Sequence, residues 1–125
     1  MLNTAIRTMV LLGTLIFTSL IPSFFPPTLT GLWQVELRNE VASEQVMVSI
    51  EQQDAALTGT YVGSYQLSDL EGRFDGDEVQ FEYIIDGVRV VYTGELKGQY
   101  LSGTYYAGAF DRGEFKARRL STNRG

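Results

Sequence analysis

The chain has 125 residues, a formal net charge of −5 at pH 7, and neither Cys nor His. That length is enough for one domain. The missing residue types exclude disulfides, thiolate metal sites, Cys nucleophiles, Ser–His triads and the commonest general base. The acidic residues are spread along the chain, which excludes the basic face that nucleic-acid binding needs.

Residues 1–30 read as a separate object. Arg7 is the one cation of a short N-terminal segment, an uncharged apolar stretch runs from Met9 to Phe25, and Pro26 and Pro27 follow. This is the order of an export signal, and the stretch predicts an apolar helix. Two readings stand side by side. One is a cleaved signal peptide, although no A-x-A site precedes the folded region. The other is an uncleaved anchor, since residues 9–25 lie at the lower edge of a membrane span. Arg7 keeps the N-terminus cytoplasmic in either case. Residues 31–125 are therefore expected outside the cytoplasm, periplasmic or extracellular, secreted or membrane-tethered. The absence of Cys excludes a lipidated N-terminal cysteine.

From Gly31 onward apolar residues alternate with period two, the signature of half-buried strands. Trp33, Val35 and Leu37 share one face, as do Val46, Val48 and Ile50. Val79, Phe81, Tyr83 and Ile85 form another, with Ile84 and Val91 leaving the outer face there partly apolar. Tyr92, Gly94 and Leu96, then Leu101, Gly103 and Tyr105, then Phe115 and Ala117 continue the pattern. Asp86-Gly87 and Lys97-Gly98 both read as two-residue type I′ turns. Eight strands are expected, at about 31–38, 45–52, 56–62, 66–74, 78–85, 88–97, 100–107 and 113–120. No interval is long enough for a crossover helix. The fold class is all-β: an antiparallel eight-stranded up-and-down meander closing into a barrel, which removes exposed edges.

Four apolar–x–Gly–x–apolar segments recur: "LTGTY" (57–61), "LEGRF" (70–74), "YTGEL" (92–96) and "LSGTY" (101–105). Gly59, Gly72, Gly94 and Gly103 then all point inward. There they let a strand coil sharply and the opposite wall approach.

Gly31-Leu32-Trp33 opens the first strand and Arg118-Arg119 ends the last. This pattern resembles the calycin superfamily, the barrels of lipocalins, fatty-acid-binding proteins and avidins. The resemblance spans about residues 31–120 and implies that Arg119 packs across Trp33 to close one end, with Arg118 facing water. "GLW", "ALTGTY" and "LEGRFDG" also follow the avidin order, which puts Tyr61 where avidins contact biotin with a tyrosine. Trp33 is the only Trp, however, and the polar residues that grip biotin have no counterparts here.

An eight-stranded barrel is just wide enough to be filled by side chains or to hold one small ligand. The inward aromatic set includes Tyr61, Phe81, Tyr83, Tyr92 and Tyr105, which would contact such a ligand or simply fill the core. Asp75, Asp77 and Glu78 match no complete calcium loop and read as turn chemistry. Asp69, Glu71, Asp111 and Arg112 read as solvated charges. The expected function is that of an exported, non-catalytic binding module for a small apolar or aromatic ligand, with no cofactor or metal. The alternative is a membrane-tethered envelope structural or interaction protein with a filled barrel. No motif sets an oligomeric state.

Overall fold

A computed structural model describes residues 28–121. The expected apolar helix at 9–25 lies outside the described residues. Eight strands run β1 (Gly31–Arg38), β2 (Ser43–Gln53), β3 (Ala56–Val62), β4 (Leu67–Phe74), β5 (Glu78–Ile85), β6 (Val88–Lys97), β7 (Tyr100–Ala107) and β8 (Asp111–Ser121). Each pairs antiparallel with the next, and β8 pairs with β1, so the sheet is a closed barrel. Closure leaves no strand edge unpaired.

The alternation read from the sequence is the observed inside–outside alternation except in β6, where Val90, Val91 and Tyr92 are all buried. In β1, Trp33, Val35 and Leu37 are buried, while Gln34 and Glu36 between them are half-exposed. Two strands extend further than the pattern predicts. Ser43 still pairs with Arg38, and Asp111 with Ala107, so the loops there shrink to 39–42 and 108–110. The register, unlike the apolar pattern, continues through polar residues.

The turns divide into two kinds. Asp86 and Gly87 both have positive φ, at 53° and 81°, as a type I′ hairpin requires. The next hairpin differs from expectation. Lys97 pairs with Tyr100, so the turn residues are Gly98 and Gln99, with Gly98 alone at positive φ, the type II′ arrangement.

The inward glycines bring adjacent strands together, and at Gly94 a Cβ would also meet the Phe115 ring of β8, 3.0 Å away. A Cβ on Gly59 would overlap the Ser49 carbonyl of β2, and one on Gly103 the Thr93 carbonyl of β6. These are the points where the wall coils most tightly. Gly72 is paired with Phe81, Gly103 with Phe115 and Gly59 with Ile50, so a large side chain lies beside each. An aromatic ring over a facing glycine is a known device for filling such gaps. The resulting core runs from Leu29 to Ala117.

Candidate functional site

The two ends of the barrel are built differently. At one end Trp33 and Arg119 are cross-strand partners on β1 and β8. The Arg119 guanidinium carbon lies 4.7 Å from the centroid of the Trp33 ring. Its Nη1 and Nη2 donate to the carbonyls of Thr30 and Thr28, both at 2.9 Å. Burial pulls the Arg119 pKa below its ordinary value, because removing the guanidinium from water disfavours its charged form. The Trp33 indole N–H donates to Leu29 O at 2.9 Å, and the Leu29 amide donates to Gln52 Oε1 at 2.8 Å. Leu29 is fully buried, so residues 28–30, grouped with the leader in the sequence reading, stopper this end. Arg118 points outward, where its Nη2 donates to Gln34 Oε1.

The inward tyrosines gather toward the other end. Tyr61 stacks on Tyr83 at 4.6 Å between centroids, and Phe81 stacks on Tyr92 at 4.5 Å. Phe115 meets Tyr92 edge-on at 5.1 Å, and Tyr105 stands 6.3 Å from Tyr92. The Tyr83 and Tyr92 hydroxyls hydrogen-bond to each other. The structure thus brings all five predicted ligand-contacting residues into one aromatic cluster. Tyr92 is fully buried and Phe81, Tyr83 and Tyr105 nearly so; Tyr61 is half-buried at the rim.

The electrostatics of these phenols follow from burial. Desolvation pushes the pKa values of Tyr83 and Tyr92 far above the ordinary tyrosine value. Tyr61 and Tyr105 are raised too, first by burial and then by carboxylates, Glu44 and Asp86 for Tyr61 and Asp111 for Tyr105. All four rings stay neutral phenols at physiological pH, suited to packing and hydrogen bonding rather than to proton abstraction.

Three residues at this end escape the sequence reading. Glu44 continues the inward parity of Val46, Val48 and Ile50, but lies just before the expected start of that strand. Asp111, read as a loop charge, accepts hydrogen bonds from the Tyr105 hydroxyl and from Asn39 Nδ2, both at 2.9 Å. Asn39 Oδ1 accepts from the amides of Val41 and Ala42, the side-chain turn that shapes the β1–β2 loop. An Asn at the end of an alternating strand is a signal that could have placed it.

The other singled-out carboxylates do not converge. Asp75 and Asp77 lie in the exposed β4–β5 turn, where the Asp75 amide donates to Glu78 O. Asp69 and Glu71 lie on the outer face of β4. Among the described residues no three His, Cys, Asp or Glu converge as a metal site. Surface depressions lie on the outside of the wall, one of them over Thr58, Asp69 and Glu82. No protein-family model, curated protein or solved structure matches the chain.

Proposed function

We propose that the chain is an exported, non-catalytic β-barrel binding module that works through the outside of the barrel at the end opposite Trp33. The interior serves to hold the fold. The observation that carries this is the ring-on-ring packing of Tyr61, Tyr83, Tyr92, Phe81 and Phe115. It favours a filled barrel over one that encloses a small apolar ligand. The Trp33–Arg119 closure supports the likeness to calycins at the level of fold. Phenols held neutral by burial support the non-catalytic reading.

The test is extraction of the exported protein with organic solvent followed by mass spectrometry. No stoichiometric apolar compound is expected. One equivalent of such a compound, released only on unfolding, would return the function to the interior.

The tethered reading has its own support. Residues 28–30 are fixed at the Trp33 end, and only residues 26–28 separate the apolar segment from Leu29. An uncleaved segment 9–25 would therefore set the Trp33 end against the membrane and point the opposite end away.

A further inference from the structure

Exposed apolar side chains are distributed unevenly over the barrel. Among the described residues, Val41, Val62, Tyr65, Leu67, Ile84, Val88, Tyr106 and Phe110 are at the end opposite Trp33, and Tyr100 and Leu120 are at the Trp33 end. The extreme cases are Val41, Tyr65 and Phe110, which are 87%, 98% and 96% exposed. Each stands on a different loop, β1–β2, β3–β4 or β7–β8. At the Trp33 end the connections are the polar turns Asp54-Ala55, Asp75-Gly76-Asp77 and Gly98-Gln99. Two aromatic side chains and a valine present on the order of 500 Å².

We propose that this end docks on a zwitterionic lipid surface, with Val41, Tyr65 and Phe110 entering the headgroup layer. The inference rests on the reading that the exported barrel works through this end. The three side chains protrude from separate loops and form no groove, which suits a fluid surface better than a rigid partner. Tyr and Phe are also the side chains that settle at a membrane–water interface. The charges select the lipid. The loops and adjoining strand ends carry Glu36, Glu40, Glu44, Glu82, Asp86 and Asp111 against Arg38, Arg89 and Arg112, an acidic excess. Carboxylates beside aromatic rings attract the outermost ammonium of a zwitterionic headgroup. The same carboxylates repel anionic lipid and oppose the identical end of a second copy.

The test uses residues 28–125, because the buried core is drawn from residues 29–117. The chain has no Cys, so Ser64→Cys places one fluorophore beside an intact Tyr65. Trp33, the only Trp, reports on the opposite end. Sedimentation with phosphatidylcholine vesicles is expected, weakening as phosphatidylglycerol is added. Brominated lipid should quench the label at position 64 and spare Trp33. Phe110→Ser should weaken binding about tenfold, the effect of withdrawing one aromatic side chain from burial. Tyr100→Ser, at the other end, should leave it unchanged.

The proposal is overturned by absence of sedimentation, by binding indifferent to Phe110→Ser, or by quenching of Trp33 without the label. A dimer in light scattering that Phe110→Ser dissociates would also overturn it, assigning the surface to a second copy. None of these outcomes places a ligand in the barrel, so they leave the filled-barrel reading standing; the solvent extraction tests that separately.

Discussion

Arg119 lies over the ring of Trp33, its guanidinium carbon 4.7 Å from the ring centroid, while two of its nitrogens hold the carbonyls of Thr28 and Thr30. One side chain therefore joins the last strand, the first strand and the segment before it. Trp33→Ala should cost about 3–5 kcal/mol, as large aromatic truncations in cores do. Arg119→Lys should cost about 1–2 kcal/mol, because an ammonium cannot hold two carbonyls with a planar fork. Denaturant midpoints check both. A change below about 0.5 kcal/mol for Trp33→Ala, the range of an ordinary surface substitution, would mean that Trp33 does not plug the barrel.

Gly59 gives a second test of the wall. Its missing Cβ is the space in which the Ser49 carbonyl sits. Gly59→Ala should destabilise by about 1–3 kcal/mol, the usual cost of forcing atoms into a packed site. The neighbouring outward Thr58→Ala should cost much less. Equal effects in chemical denaturation would contradict the close approach of β2 and β3.

Alkaline pH should weaken the fold. Folding raises the pKa values of Tyr83 and Tyr92 above the unfolded value of 10.0. A phenol with a raised folded pKa contributes its full stability below pH 10.0 and loses it as pH climbs toward the folded value. The denaturation midpoint should therefore fall above about pH 10. The double variant Tyr83→Phe, Tyr92→Phe should lose part of that slope. An unchanged slope in the variant would show that these two phenols do not carry the effect.

The closed end also constrains processing. Leu29 is buried beneath Trp33, and Thr28 O accepts from Arg119. If the leader is cleaved, the mature N-terminus should lie at or before Thr28. N-terminal sequencing of the protein from its native cells checks this: a start at Leu29 or later would contradict the stopper, and an intact Met1 in the membrane fraction would favour the tether.

Much of the barrel was legible in its periodicity, because burial on one face of a strand writes itself into every second residue. Trp33, Val35 and Leu37 announce their own register. The register of Glu44 and Asp111 was hidden, since polar residues at strand ends carry no apolar alternation. The Gly98 hairpin was misread because the dipeptide Lys97-Gly98 names the turn residues only if the pairing is known. The inward aromatic set was legible as a set. Whether its rings line a pocket or fill it depends on distances such as the 4.5 Å between Phe81 and Tyr92, which no local pattern encodes. Leu29 was missed because it follows an apolar stretch and two prolines, so nothing local distinguishes it from them.

The central claim is that the barrel interior is full. Nuclear magnetic resonance titration of the wild-type protein and of Tyr92→Ala with indole tests it most directly. Removing the Tyr92 ring should open an apolar cavity of the kind that takes up small aromatic compounds. The variant should show saturable shifts at residues around Phe81, Phe115 and Tyr105, and the wild type should show none. Saturable binding of indole to the wild type, with shifts at Tyr83 and Tyr92, would contradict the account and restore the interior as a ligand site.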